Sequence, residues 1–338
     1  MPQGYKTYRT VSDQSVYDLC LNTYGTLDRL GLLMKDNGIT SVARRLPAGT
    51  SITYDTTLVN DQRFNEQGFT FATKAKVPGT LLLDLYPSAA IAVSTRKLNS
   101  NYGGPALRLR RESDSVEMDV WFNEDNNLDV LNMTQFLSGQ TGYVVTWYDQ
   151  SGNGNHLTQP TATRQPILYN FTLDRYAVKS DGSNDFMYVL LNTPVTRPIT
   201  YLLGAKITGG AGEQFVLHNL SSTNINAALI RKLGTNRGSF MGHTFTYTMP
   251  SDMEVITVTR STASAQYYRN NVAVTPTLTG SSNLDIARVR LFAEVNAALT
   301  TPTNHGLCEV PELVIWSSDY SPNLQAINNN MNNYFKIY

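Results

Sequence analysis

The stretch of sequence that decides the fold is Tyr143-Val144-Val145-Thr146-Trp147-Tyr148-Asp149-Gln150-Ser151-Gly152-Asn153-Gly154-Asn155-His156. Its first half alternates aromatic and β-branched residues, a pattern typical of a strand that is covered on both faces. Its second half, Asp149 to His156, is here called the polar knot, and its glycines and asparagines predict several tight turns. The knot is either an architectural corner or a ligand site. Asx side chains cap their own turns readily, which favours the corner, with Gly152 and Gly154 as its structural turn residues.

These residues carry a resemblance to a known family. Trp147-Tyr148-Asp149-Gln150-Ser151-Gly152-Asn153-Gly154-Asn155 resembles the YDQSG-x-GN segment of concanavalin A-like sandwich domains related to the catalytic domain of fungal α-L-arabinofuranosidase B. Similar domains occur in tail proteins of phages and prophages. The resemblance extends to Asp181–Asp185, which matches a DGSND turn between two strands, and to Pro311–Asp319 with the helix after it. It covers most of Leu81 to Tyr338 and implies a mainly β fold, an antiparallel concanavalin A-like β-sandwich with a C-terminal helix.

The order of short strands and turns within this region agrees with a sandwich, because parallel βαβ units would need helices between the strands. The acidic oxygens of the Asp181–Asp185 turn would suit Ca²⁺, but their spacing is not that of an EF-hand, so we favour a plain turn. Alternating apolar residues predict strands at Ile199–Lys206, Gln214–His218, Ala227–Lys232, Phe240–Thr248, Glu254–Thr259, Ala265–Arg269, Arg288–Ala293 and Glu312–Ser317.

A hairpin is predicted around Glu112-Ser113-Asp114-Ser115, between two alternating apolar runs. In this register Arg108 faces Asp119 and Arg110 faces Glu117. The basic run Arg108–Arg111 is therefore interpreted as one half of cross-strand ion pairs and not as a binding patch, at about 0.2–1 kcal/mol per pair.

The N-terminal segment has a β-α-α-β order in which Ser12 is predicted to cap the first helix and Gly25 to end it. Together with Leu46-Pro47-Ala48-Gly49-Thr50 this order resembles a LysM module, a class that binds N-acetylglucosamine polymers or serves as a docking piece; we favour docking. The predicted domains are residues 1–55 (LysM-like docking module), 56–80 (connector, with a short helix near Asp61–Gln67) and 81–338 (sandwich).

Composition excludes several classes of function. Lys plus Arg and Asp plus Glu both number 27, so no net charge favours nucleic acid or an anionic membrane. Cys20 and Cys308 are the only cysteines, which favours two buried thiols over one disulfide and excludes a zinc framework. The first residues contain no apolar signal core, and the longest apolar runs are too short to cross a bilayer. We therefore expect synthesis in a cytoplasm without secretion.

The sequence argues against catalysis. A retaining arabinofuranosidase needs two carboxylates about 5 Å apart, and the resemblance places the nucleophile within the region that corresponds to Asn219–His243. That region contains no Asp or Glu, and the adjacent cysteine pair of the fungal enzyme is absent. The histidines show no metal-ligand spacing, and no phosphate-binding glycine loop is present, so no metal and no cofactor are predicted. The prediction is that the chain is not an enzyme.

Sugar binding requires an aromatic platform beside amide and carboxylate groups, and the motif supplies one such patch. Its glycan-binding candidates are Trp147, Tyr148, Asp149, Asn153, Asn155 and His156. Because Trp147 alternates within a strand, a place in the core is favoured for that residue.

The resemblance leads to a functional hypothesis. We expect a structural component of a phage or prophage tail, located in the virion and contributing to recognition of a host-surface glycan. Its expected partners are other tail proteins, bound through the N-terminal module, that glycan and further copies of the chain. The alternative is a glycoside hydrolase acting on capsule or cell-wall polysaccharide, and a bacterial surface adhesin is a third possibility.

Overall fold

A computed structural model defines two compact units, Met1–Gly79 and Thr80–Tyr338. Much of the predicted connector, including the short helix near Asp61–Gln67, lies outside the residues that the structure describes. The described residues are 4–11, 14–42, 46–59, 81–172, 175–209, 214–223, 226–233, 235–240, 243–247, 252–261, 264–275, 277–278, 285–295 and 302–338.

The N-terminal unit has the predicted β-α-α-β order, with β1 (Tyr5–Arg9), α1 (Val16–Tyr24), α2 (Leu30–Asp36) and β2 (Ser51–Asp55). The two strands pair antiparallel. An element order of this kind is common to many small folds, so the LysM resemblance stays a prediction.

The cap of helix α1 differs from the predicted one. Ser15, not Ser12, is the N-cap: its Oγ accepts a hydrogen bond from the Asp18 amide at 3.2 Å, and the Asp18 carboxylate accepts one from the Ser15 amide at 2.7 Å. This reciprocal capping box needs an acidic or amide side chain three residues after the cap, and Ser12 is followed by Ser15 at that position. Gly25 ends the helix at φ +68°, as predicted.

The C-terminal unit is an antiparallel β-sandwich, which confirms the predicted mainly β fold class. Its helices are α3 (Leu82–Leu85), α4 (Val130–Leu137) and α5 (Leu324–Phe335). Its strands are β3 (Ala89–Ser94), β4 (Leu107–Arg111), β5 (Glu117–Val120), β6 (Gly142–Trp147), β7 (Leu157–Thr158), β8 (Ile167–Thr172), β9 (Arg175–Lys179), β10 (Met187–Val195), β11 (Ile199–Gly209), β12 (Gln214–Leu220), β13 (Asn226–Leu233), β14 (Thr235–Phe240), β15 (His243–Tyr247), β16 (Glu254–Arg260), β17 (Ala265–Arg269), β18 (Val272–Val274), β19 (Thr277–Leu278), β20 (Ile286–Leu291), β21 (Glu294–Val295), β22 (Pro302–Thr303), β23 (Leu307–Val310) and β24 (Glu312–Trp316).

Two layers of strands enclose the main core. One layer has the order β3-β24-β11-β16-β17-β18. The other contains β5-β4-β6 and the run β10-β20-β12-β13-β14-β15, and β11 joins the layers because its C-terminal end pairs with β23. Alternate residues of both layers, such as Val93, Trp147 and Val289, form one buried cluster. The residues between them on each strand therefore face outward, and these include the polar side chains.

The outer face of the first layer is covered by helix α5, as the sequence predicts. Ile327, Met331 and Phe335 are fully buried and pack with Val314 and Trp316 of β24. The helix thus covers one face of the sandwich, while the sites described below lie elsewhere in the unit.

Candidate functional site

The polar knot is organised by one buried carboxylate, Asp149. Its Oδ1 accepts hydrogen bonds from the backbone amides of Ala92 (2.8 Å) and Ser151 (2.9 Å). Its Oδ2 accepts from Ser151 Oγ (2.7 Å) and from the Asn155 amide (3.0 Å). The His156 Nδ1 in turn accepts from the Asp149 amide at 3.0 Å. The carboxylate therefore holds the knot together and fastens it to β3.

The asparagines of the knot extend the same network. Asn153 Nδ2 donates to the carbonyl of Ala89 at 2.8 Å, and Asn155 Nδ2 donates to that of Ala90 at 2.7 Å. Both asparagines also border a cavity of about 450 Å³, and Asn192 closes the network from β10. These bonds are the ones that an architectural corner requires.

The six predicted glycan-binding residues do not form one accessible patch. Trp147 is fully buried in the main core, and the side chains of Asp149 and Asn155 are at most 3% exposed. A buried, hydrogen-bonded side chain has no surface to offer a sugar, which corrects the prediction for Asp149 and Asn155. For Trp147 the place in the core that strand alternation favours is the one observed. Tyr148 and His156 are half-buried and Asn153 is exposed, so glycan contact stays a prediction for those residues.

The glycines of the knot lead to a stability prediction. Gly152 and Gly154 have φ of +92° and +71°, and an added Cβ would meet no atom within 4 Å at either position. The penalty for Gly152→Val or Gly154→Val is therefore backbone strain, about 1–3 kcal/mol each. Chemical denaturation measures it, with Gly152→Asn as the matched control, because asparagine tolerates positive φ and we expect it to lose less than half as much. Equal losses for valine and asparagine would contradict this account.

A second cavity, here called the carboxylate cavity, has the composition of a reaction site. It measures about 510 Å³ and brings together three acids, one arginine and one tyrosine from separate parts of the chain. Its lining residues are Arg110, Glu112, Tyr143, Ala162, Thr163, Gln165, Ile167, Asp181, Asn184 and Asp185.

The DGSND turn places two of these acids. Asp181 Oδ1 accepts the amides of Ser183, Asn184 and Asp185 at 2.8–3.3 Å, and Asp185 Oδ2 accepts the Asp181 amide at 3.0 Å. Each carboxylate therefore binds the backbone of the other residue, so the two stay close together.

The two acids differ in environment. Asp181 is exposed, whereas Asp185 is only 6% exposed. Burial, with the negative charge of Asp181 as the second cause, raises the pKa of Asp185 to about 7. A carboxylic acid with a pKa near neutrality can both donate and accept a proton under ordinary conditions.

Arg110 is the cation of the cavity, and its position corrects a sequence prediction. The backbone register opposite Glu117 is as predicted, and Arg108 forms the expected ion pair with Asp119 at 2.8 Å. Arg110 instead donates from Nε to Gln165 Oε1 at 2.8 Å, and its guanidinium carbon lies 4.5 Å from the centre of the Tyr143 ring. Gln165 is buried and lies 55 residues away in the sequence, so cross-strand pairing rules alone could not identify it.

Sequence reasoning treated the DGSND turn as structural and did not single out its acids as candidate functional residues. The available signal was a pair of aspartates four residues apart, the second of which directly precedes the apolar run that begins at Phe186. No group of three or more possible metal ligands occurs within the described ranges. Both cysteines are free and buried, which agrees with the predicted thiols. No helix in the described part of the chain has the length and apolarity needed to cross a membrane.

Part of the sandwich is similar in sequence to known arabinofuranosidases. A family model described as "Alpha-L-arabinofuranosidase B, catalytic" matches residues 84–179. A probable alpha-L-arabinofuranosidase B of Aspergillus fumigatus is 33% identical over 104 residues, covering 28% of this chain and 21% of the fungal protein. An alpha-L-arabinofuranosidase B of Penicillium canescens is 34% identical over 74 residues, covering 22% and 16%. The chain thus matches about a fifth of the length of these curated relatives.

Solved structures show the same fold. A GH54 α-L-arabinofuranosidase soaked with a cyclic sulfate inhibitor superposes with a TM-score of 0.53 at 16% identity, over 72% of this chain and 62% of that one. An arabinofuranosidase complexed with arabinofuranosyl-α-1,2-xylobiose gives the same TM-score, identity and coverage. At this level of identity the likeness concerns the fold.

These comparisons correct the functional hypothesis drawn from the sequence. The prediction of a phage tail component located in a virion is wrong, because the relatives are arabinofuranosidases from fungi. The prediction that the chain is not an enzyme is contradicted as well, because the matching model is that of a catalytic domain. The expected glycan partner and the expected self-association stay predictions.

Proposed function

We propose that the sandwich unit is a glycoside hydrolase domain that cleaves α-L-arabinofuranosides in the carboxylate cavity. The observation that carries the proposal is a buried acid with a pKa of about 7, Asp185, in a cavity that also holds Glu112 and Asp181. Most of the residues that line this cavity fall within the segment 84–179 matched by the arabinofuranosidase catalytic model.

Asp185 is the proposed general acid. Glycosidic bond cleavage passes through an oxocarbenium-like state in which the departing oxygen needs a proton. With a pKa of about 7, the Asp185 carboxyl is largely protonated in mildly acidic solution and can supply that proton. Asp181 acts as a positioning residue, since its negative charge helps keep the proton on Asp185 and its Oδ1 fixes the turn.

Glu112 is the proposed second carboxylate, which attacks the anomeric carbon or activates a water molecule. Glu112 directly follows β4 and lines the cavity. Asp181 is a poorer candidate for this role, because its Oδ1 already accepts hydrogen bonds from three backbone amides. Tyr143 lines the cavity with an aromatic ring, one face of which is covered by the Arg110 guanidinium. The two proposed catalytic carboxylates, Glu112 and Asp185, lie outside Asn219–His243, so the lack of acids in that region does not exclude glycoside hydrolysis.

The test is hydrolysis of 4-nitrophenyl α-L-arabinofuranoside, followed by release of 4-nitrophenolate. We expect turnover by the full chain and a loss of about 100-fold or more in Glu112→Gln. Glu117→Gln is the matched control, because Glu117 is an exposed glutamate on β5 outside the cavity, and it should retain turnover within about twofold. Absence of turnover by the unmodified chain, or equal losses in both variants, would contradict the proposal.

A further inference from the structure

A separate cavity of about 270 Å³ lies on the outward side of three adjacent strands, β10, β20 and β12. Strand pairing places its residues in two rows on one face. The first row is Tyr188, Arg290 and His218, and the second is Leu190, Arg288 and Leu220. Among the residues that the structure describes, no acidic side chain lines this cavity.

Arg290, at the centre of the first row, is a cation without a counterion in the part of the chain that the structure describes. Its Nη1 is buried and has no hydrogen-bond partner. Aromatic rings flank its guanidinium carbon, with the Phe186 centre at 5.0 Å and the Tyr188 centre at 5.7 Å. Burial lowers the pKa of Arg290 to about 10, which still leaves the group charged at neutral pH. A buried charged donor that lacks a partner is costly to the fold and is ready to bind an anion.

The other residues that line the cavity indicate what kind of molecule carries the anionic group. Tyr188 and Leu190 are 41% and 62% exposed at the edge of the cavity, and Leu220 is buried within it. An aromatic ring and apolar side chains contact carbon, whereas a guanidinium fork binds the paired oxygens of a carboxylate. The cavity volume lies just below the usual range for small-molecule sites, which suits a single ring and not an extended chain.

We propose that this cavity binds the carboxylate of an acidic sugar unit, a hexuronate, with Arg290 as the principal contact. The anion site follows from the geometry of Arg290; the choice of a sugar as the carrier of the carboxylate rests on the proposed function. The two sites are neighbours along the chain, because Asp185 lines the carboxylate cavity and the next residue, Phe186, covers Arg290. An acidic unit bound here would therefore help select glycans that carry uronic acid.

Calorimetric titration of the full chain tests the proposal without any turnover. The probes are D-galacturonate, neutral D-galactose and sodium sulfate at matched ionic strength. We expect galacturonate to bind at least about tenfold more tightly than either of the others. Equal binding of galactose would overturn the role of the carboxylate, and equal binding of sulfate would overturn the assignment to a sugar. Binding of galacturonate by a chain that fails to cleave arabinosides would refute the proposed function alone.

Two sets of variants locate the site. Leu190→Glu places a competing carboxylate beside Arg288 and should weaken galacturonate binding at least about tenfold, whereas the neutral, equally sized Leu190→Gln should stay within about twofold. Leu190 is exposed, so neither change threatens folding. Arg290→Met should abolish binding and raise the melting temperature of the free protein, because it removes a half-buried cation whose Nη1 is buried without a partner. Retained binding in Arg290→Met, or equal effects of the two Leu190 variants, would overturn the proposal.

Discussion

Asp185→Asn is expected to lower hydrolysis of methyl α-L-arabinofuranoside by about 100- to 10,000-fold, because the variant cannot donate a proton to the departing oxygen. The loss should be smaller for 4-nitrophenyl α-L-arabinofuranoside, whose leaving group departs as a stabilised anion and needs little protonation. This difference between the two substrates is the signature of a general acid, and comparison of kcat/KM for both measures it. Equal losses on the two substrates would show that Asp185 only supports the structure.

The pH dependence provides an independent check. Because burial raises the pKa of Asp185 to about 7, activity should fall as the pH rises through 7. The stability contribution has the same direction: the folded state holds a proton that the unfolded state releases above about pH 4, so stability decreases between about pH 4 and 7. Asp185→Asn removes this penalty, and at pH 8 we expect the variant to be about 1–2 kcal/mol more stable than the unmodified protein after allowance for solvent screening.

The sequence predicted local features of the fold because their causes are local. The turns of the polar knot follow from Gly152 and Gly154, whose positive φ is a property of the residue type. The hairpin register follows from alternation, and the observed pairing of Arg108 with Asp119 is the predicted one. The C-terminal helix follows from apolar residues at helical spacing, of which Ile327 and Met331 are fully buried.

The sites were not predictable in the same way, because they depend on contacts between distant strands. The row formed by Tyr188, Arg290 and His218 joins three strands that are far apart in sequence, and alternation gives the face of each strand but not its neighbours. Likewise, the raised pKa of Asp185 depends on its burial, which the turn sequence does not encode. The hydrogen bond from Arg110 to Gln165 was not predictable for the same reason, because the two residues lie 55 positions apart in the sequence.

A buried ion pair between Arg96, two residues after the end of β3, and Glu312 of β24 carries the largest stability prediction. Glu312 is fully buried and accepts two parallel bonds from Arg96, Nε to Oε2 at 2.7 Å and Nη2 to Oε1 at 2.9 Å. Ser94 Oγ donates a third bond to Glu312 at 2.8 Å. The guanidinium carbon also lies 5.4 Å from the Tyr334 ring centre of helix α5. The pair thus connects two neighbouring strands with the helix that covers them.

Glu312→Leu should destabilise the sandwich by about 3–5 kcal/mol, because it leaves Arg96 buried and unpaired, and Arg96→Met should do the same to Glu312. The double variant Arg96→Met/Glu312→Leu should lose much less than the sum of the single changes, since well-packed apolar residues remove both unpaired charges together. Chemical denaturation of the four proteins measures this coupling. The control is Asp114→Asn, which breaks the exposed pair with Arg111 and should leave the midpoint unchanged. Additive losses in the double variant would show that the two residues stabilise the sandwich independently and not as a pair.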